Sequence, residues 1–498
     1  MTRLLPFLLL MILVGCTEET IRPTIEFPPQ IDTIFAASCA TVGCHLPDEH
    51  DLAKLNSPNH LAAELDLSSW TGLFEGADGD AIAIPYSSKF SHVLDHIRGV
   101  ASPRMPPNYP PYNRDTLLLS EEQTLKTWID NGAPGINGQI AFERVTNRIF
   151  TTNQVDDAVS VIAENPKLLM RVFSVGDRPE NESPHGLRVT RDGRYFFVSM
   201  IATGEVFKYD ALSGDFIAKA SLGSPVALIE LSKDDSKLYV TTNFQVNNTG
   251  QNGSITVINT STMSVIKPIP VGISPHGLTA SRDGKLIYAS AVYSDRIYAI
   301  STALDSVVGF FDVAADVGPS PEYEPYHIGV GPANKNGVEN FIYVTCRKRG
   351  EVRIFRRVSS SLQLVDSVQV GVGSDPKPTQ LDVTPDGKFI YVANSNDSSV
   401  SVIKFENNDF SLLTHIASQT DPSTFERHRL SQPNGVTVSR DGRYVYVVNR
   451  NKDAAVPPHH GGTGGPGLLT VIEVASNKII KTVELPPDAY SVQVSQVK

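Results

Sequence analysis

From about residue 140 onward one phrase recurs, and it limits the fold more than any other feature. It reads VTRDGRYFFVSM (189–200), LSKDDSKLYVTTN (231–243), ASRDGKLIYASA (280–291), VTPDGKFIYVANS (383–395) and VSRDGRYVYVVN (438–449), with a weaker copy, GPANKNGVENFIYVTC, at 331–346. Each copy predicts a strand, a tight turn at Asp-Gly or its equivalent, and a second strand rich in β-branched and aromatic residues. Two further strands follow, as in SVSVIKFE with SLLTHIA. Four short strands every 40–50 residues or so make a propeller blade, a unit that buries its faces only against neighbours. Full copies begin near Ser183, Ser224, Ser274, Tyr326, Asp375 and Gln432. Before them, RIFTTNQ, AVSVIAE and LLMRVFSVG give three strands lacking an innermost one. PDAYSVQVSQ (487–496), which parallels QPNGVTVSR, is expected to supply it. The sequence thus predicts an all-β seven-bladed propeller over 141–498, closed by strands from 147–176 and 487–496, with no open edge.

The amino end has another texture. MTRLLPFLLLMILVGC has a basic residue at Arg3, an apolar run from Leu4 to Val14 and a small-residue site ending in cysteine. It resembles a bacterial lipoprotein signal: residues 1–15 are expected to be removed, Cys16 to be lipidated and 16–30 to form a polar tether. That resemblance implies a cell-envelope protein held to the membrane through its lipid alone. Thr17 is not the aspartate of inner-membrane retention, so the outer membrane is favoured. The net charge of −11 speaks against a nucleic-acid partner.

Beyond the signal only Cys39, Cys44 and Cys346 remain. SCATVGCH (38–45) places two thiols five apart, with a histidine directly after the second. That string suits two thioether links to haem with histidine on the iron, although the common spacing is C-x2-C-H. A second axial ligand is needed, and SPRMPPNYPPY offers Met105 between residues that hold an extended loop. LSEEQTLKTWIDNGAP reads as a helix starting at Ser120, with an apolar stripe of Leu125, Trp128 and Ile129. The order of haem loop, AIAIPYSSKFSHVLDHI, MPP loop and WIDNGAP helix resembles the small c-type cytochrome domains of bacterial envelope proteins. That resemblance covers 31–138 and implies a small all-α domain with one covalent haem c on Cys39 and Cys44. His45 would be the proximal iron ligand and Met105 the distal one. A Cys39–Cys44 disulfide is the competing reading of the cysteines, and His92 and His96, four apart, are competing ligands. His50 and His60 are expected at the surface, and Cys346 as a buried free thiol.

The propeller phrases resemble YVTN-type propellers, a likeness that speaks to fold and not to activity. Several blades open their inner strand with a Pro-x-Gly phrase or a variant of it: SPHGL (His185), SPHGL (His276), YHIGV (His327) and QPNGV (Asn434). The insertion NKDAAVPPHHGGTGGPG (451–467), with His459 and His460, QVNNTGQNG (245–253) and VGPSPEYEP (317–325) are expected on the same face. The plain reading is that these histidines bond within their own blades; the others are a docking face and a second redox site. The domain order resembles envelope nitrite reductases that pair haem c with a haem d propeller. A copper site of the nitrous-oxide reductase kind needs more histidines than the five available here. The reading as a whole is an electron carrier for envelope redox partners, with no second cofactor expected, rather than a catalyst. The alternatives are an oxidoreductase with a second cofactor and a non-redox binding propeller with a vestigial haem loop.

Overall fold

The computed structural model describes residues 25–40, 45, 65–76, 80–101, 104–106, 116–245, 247–314, 323–358, 361–420, 427–454 and 465–496. Within these, seven four-stranded antiparallel sheets form a seven-bladed propeller. The innermost strands, from blade 1 to blade 7, are Pro184–Val189, Val226–Leu231, Pro275–Ala280, Pro325–Val330, Pro378–Val383, Pro433–Val438 and Ala489–Gln496. Each packs on the next, and the last packs on the first, so the ring is closed. Blade 7 is ordered Leu169–Ser174, Ala158–Ala163, Asn147–Asn153, Ala489–Gln496, with Phe150 opposite Gln493 and Thr151 opposite Val492.

The recurrent phrase can be explained atom by atom. In blade 1 the Asp192 carboxylate accepts from Thr190 Oγ1 (2.6 Å) and Arg194 N (3.0 Å), while Thr190 Oγ1 accepts from Tyr195 N (3.1 Å). Gly193 follows at φ 73°, a left-handed conformation that glycine takes without a Cβ clash. The tyrosine of the phrase joins blades. Tyr239 donates to Asp305 (2.9 Å), Tyr288 to Glu339 (2.7 Å), Tyr391 to Asn477 (2.7 Å) and Tyr446 to Glu164 (3.0 Å), each on the following blade. A ring buried in one sheet thus carries a polar tip to the next, as buried tyrosines require.

Among the described residues, four α-helices lie ahead of the propeller: α1 (Pro29–Ser38), α2 (Trp70–Glu75), α3 (His92–Arg98) and α4 (Leu119–Asp130). The last begins one residue before the expected Ser120, and its first turn is held by Glu121, which accepts from Leu118 N at 2.7 Å. The helices share one apolar cluster that includes Ile31, Phe35, Trp70, Leu73, Leu94, Leu125, Trp128 and Ile129. The segment lies on the rim at blades 6 and 7. Ala81 and Ile84 pack with Leu169, Val172, Val483 and Leu485, and Glu484 N donates to Asp80 (3.1 Å). Among the described residues no helix is long and apolar enough to cross a membrane.

Candidate functional site

Two groups of residues carry possible chemistry. In the helical segment α1 runs directly into Cys39, whose N–H donates to Phe35 O (2.8 Å) and whose side chain is buried in the apolar cluster. His45 is also buried, and its carbonyl accepts from Leu67 N (3.0 Å). Met105 is half-buried after α3 and is tied there by its N–H to His96 O (3.0 Å). His92 lies 3.8 Å from Asp95 on the same helix. Cys16, Cys44, His50 and His60 fall outside the described residues, as do His459 and His460. Cys346 is a buried free thiol, and burial pushes its ionisation up, which keeps it inert.

The second group closes the upper mouth of the propeller channel, where the inner strands begin. Pairing of Pro275 with Ala291 and Leu278 with Ala289 in blade 3 matches Pro325 with Cys346 and Ile328 with Val344 in blade 4. Counted from these prolines, the counterpart of His276 is Tyr326, not His327. The blade 4 phrase carries two extra residues between its proline and its glycine, and this corrects the alignment that grouped His327 with His185 and His276. His327 sits where the other blades have Gly186 and Gly277, accepting from Leu381 N at 3.4 Å. Burial and the charge of Arg188 hold its imidazole down to about 3.

His185 and His276 do meet, Nε2 to Nε2 at 3.5 Å, with rings at 89°. His185 packs on Tyr490 and His276 stacks on Tyr326, both with centroids 3.8 Å apart. The two tyrosine hydroxyls are 2.8 Å from each other, and Tyr490 reaches His276 Nε2 at 3.4 Å. Sequence reasoning missed both tyrosines, along with Arg347 and Arg450. Arg347 lies over Tyr326 (4.4 Å) and Arg450 over Tyr490 (4.9 Å). Aligning DAYSV with QPNGV places Tyr490 under Asn434 and was the available signal for it.

The partners assign the tautomers. Arg450 donates to Gln154 Oε1 (2.8 Å), so the Gln154 amide nitrogen points at His185 Nδ1 (2.9 Å) and donates to it. His185 therefore carries its hydrogen on Nε2 and donates toward His276. His276 in turn donates from Nδ1 to the Tyr326 carbonyl (3.0 Å) on the next blade. This bond joins blades, which corrects the expectation that such histidines bond within one blade. Asn434 makes the equivalent bond to Tyr490 O (3.0 Å), and Thr379 Oγ1 the one to Asn434 O (3.0 Å). With a hydrogen on His185 Nε2 aimed at the His276 Nε2 lone pair, and His185 Nδ1 accepting from Gln154, the pair turns no open lone pair toward a metal. Burial holds His276 down to about 3 against the opposing bond to Tyr326, with Arg347 adding to the fall. Burial, then His276 and Arg450, hold His185 well below the ordinary range. Both imidazoles are neutral at neutral pH.

Arg450 anchors this network. Its Nε and Nη2 donate to Asp488 at 2.6 and 3.0 Å, and the Asp488 side chain is 6% exposed. Arg450→Ala should cost about 2–3 kcal/mol of unfolding free energy, slightly less than the usual loss for half of a buried pair. Lys452 moderates the loss, because it stays 3.3 Å from Asp488. Urea unfolding measures it, and an unchanged midpoint would show the pair to be dispensable.

Fold and mouth together define the class: a seven-bladed β-propeller with a helical segment on its rim. Residues 217–456 match the family model described as lactonase, 7-bladed beta-propeller. The chain is 27% identical over 184 residues to the uncharacterized protein YncE of Salmonella typhimurium, covering 37% of this chain and 49% of that protein. It is 25% identical over 313 residues to the uncharacterized protein YwhL of Bacillus subtilis, covering 55% and 63%. The chain spans about half the length of the first of these curated relatives. Among solved structures it resembles a functionally unknown protein from Desulfotomaculum acetoxidans (TM-score 0.53, 14% identity, 71% of this chain and 100% of that one). It also resembles the periplasmic gluconolactonase PpgL of Pseudomonas aeruginosa (TM-score 0.53, 17% identity, 71% and 99%). At these identities the likeness is one of fold.

Proposed function

We propose that the chain is a haem c-binding electron-transfer lipoprotein of the bacterial cell envelope, with its propeller serving as a docking scaffold for redox partners. The observation that carries this is the burial of Cys39, directly after α1 and in an apolar cluster rich in aromatic residues, and the burial of His45 further along the chain. A covalent porphyrin needs such a setting: a thiol at an apolar wall and an imidazole nearby, with water excluded. Cys39 and Cys44 would hold the porphyrin, and His45 and Met105 would hold its iron. Bound there, haem supplies a one-electron couple. Met105 is fastened to α3 by its N–H bond to His96 O, and a thioether on the iron would raise the potential relative to a second histidine. Lipid on Cys16 would tether the chain, with the outer membrane favoured.

A hydrolytic role of the kind named in the lactonase description has less to support it. The two imidazoles at the upper mouth are 4% and 0% exposed, so neither offers an accessible general base. A non-redox binding propeller is separated from the electron carrier by cofactor content. Protein exported from a host that matures c-type cytochromes should give one haem per chain in a pyridine haemochrome assay. Mass spectrometry should place the adduct on the peptide bearing Cys39 and Cys44. Met105→Ala should retain the haem, lose the weak red band of thioether-ligated ferric iron and lower the potential. Free or mutually bridged Cys39 and Cys44 in such a host would overturn the reading.

A further inference from the structure

On the lower face, each turn between first and second strands reads Ser/Thr-x-Asp-Gly or a variant, and the side chain at x has a regular seat on the next blade. A methyl group at Gly284 would meet Lys233 Cβ at 2.6 Å, one at Gly387 would meet Pro332 Cγ at 2.8 Å, and one at Gly442 would meet Pro385 Cδ at 3.1 Å. In blade 1 the seat on the next blade is an aspartate: Arg191 N donates to Asp235 (2.7 Å), and its guanidinium lies 3.6 Å from the same carboxylate. Arg282 faces the longer turn of blade 4 and donates instead to Val330 O (2.7 Å) and Gly331 O (2.8 Å). These carbonyls hold its geometry.

Arg440, at x in blade 6, has no such seat. Blade 7 lacks a first–second turn, because its inner strand comes from Ala489–Gln496 and its second from Asn147–Asn153. The closure that completes the ring therefore leaves one guanidinium without a carboxylate or carbonyl partner among the described residues. Arg440 and Arg282 line a cavity of about 340 Å³, together with Asp382, Thr384, Pro332 and Pro385. Asp382 is the carboxylate of this lining: its oxygens accept from Val383 N and Val438 N, both at 2.8 Å, and the charge of Arg282 acts on it. The volume falls at the small end of ligand pockets, roughly 300–1,000 Å³.

We propose that this lower mouth binds a small dianion, a phosphate or dicarboxylate, between Arg440 and Arg282. The planar fork of arginine pairs with both kinds of oxygen anion, and the channel walls concentrate the field of two guanidinium groups, of which the one Asp382 carboxylate offsets at most one. The site lies on the face opposite the histidines and does not depend on the haem reading.

Isothermal titration of the full chain with inorganic phosphate, and separately with succinate, tests the assignment. Saturable one-site binding of either probe is the expected result, and the probe that binds tells which anion the mouth takes. Arg440→Ala should weaken it by about tenfold or more. Arg440→Lys should fall between, since it keeps a charge but not the fork. Lys233→Ala, whose side chain packs on Gly284, should bind as the parent does. Arg440 is exposed and bonds to nothing in the fold, so its loss leaves the propeller intact. Failure of both probes to saturate, or equal affinity in Arg440→Ala, overturns the proposal.

Discussion

Removing residues 487–498 should abolish the folded propeller. The deletion takes away the inner strand of blade 7, in which Ala489, Tyr490 and Val492 are buried, and with it the ladder to Asn147–Asn153. Two large side chains at about 1.5–3 kcal/mol each, together with a strand of hydrogen bonds at about 1 kcal/mol each, sum to roughly 10 kcal/mol. That matches the whole stability of an ordinary domain, about 5–15 kcal/mol. The deletion also removes the Asp488 partner of Arg450 and the Tyr490 carbonyl that accepts from Asn434. It leaves Asn147–Asn153 as an unpaired edge, six of whose seven residues are otherwise buried. The expected outcome is insoluble protein, or soluble protein with no cooperative melt by circular dichroism. A soluble variant melting within a few degrees of the parent would show that the ring does not need this strand.

Acid should destabilise the protein well before its carboxylates protonate. His185 and His276 are neutral and buried in the native state but titrate near 6.5 when unfolded. Their folded values are depressed, so the unfolded state binds more protons below that pH. The stability they contribute is complete above about 6.5 and is lost as pH falls toward the folded values, about 3 for His276. Each removes about 1.4 kcal/mol per pH unit, so the pair accounts for roughly 5 kcal/mol between about pH 6.5 and 4.5. His327, which faces Arg188 and is half-buried, adds a smaller contribution of the same sign. Asp382, raised by burial, acts in the opposite sense over the lower part of this range. Asp234 and Asp441, both held down to about 2, matter only at still lower pH. Urea midpoints at about pH 7 and about pH 5 should therefore differ sharply. His276→Asn should narrow the difference while keeping the fold, because Asn434 already makes the same bond to the next blade in blade 6. An unchanged pH dependence in that variant would refute the assignment of a neutral, buried His276.

The blades were legible because their cause is local. Within one dozen residues, Thr190, Asp192, Gly193 and Tyr195 satisfy a turn and start a strand, and the same chemistry recurs in blade after blade. The mouth was legible only in part. His185 and His276 stood out through their shared SPHGL phrase, but His327 was grouped with them on a glycine that comes two residues late. Ladder register, which the phrase does not encode, puts Tyr326 in that place. Arg347 and Arg450 each follow the last residue of a second strand, where one sequence offers no reason to single them out. The proposed haem reading of the helical segment rests on motif order, and residues 41–44, Cys44 among them, lie outside the described part of the chain.

By itself, then, the sequence determined the unit: hydrogen bonds and strand alternation act over a few residues and specify each blade without reference to the others. Only the tertiary structure decided which side chains meet. Residues 185, 276, 326 and 490 come from four blades, and the small rotation between neighbours, summed round the ring, brings two imidazoles to 3.5 Å and leaves Arg440 facing an empty seat. Those distances depend on how the ring closes, and closure is a property of seven blades together.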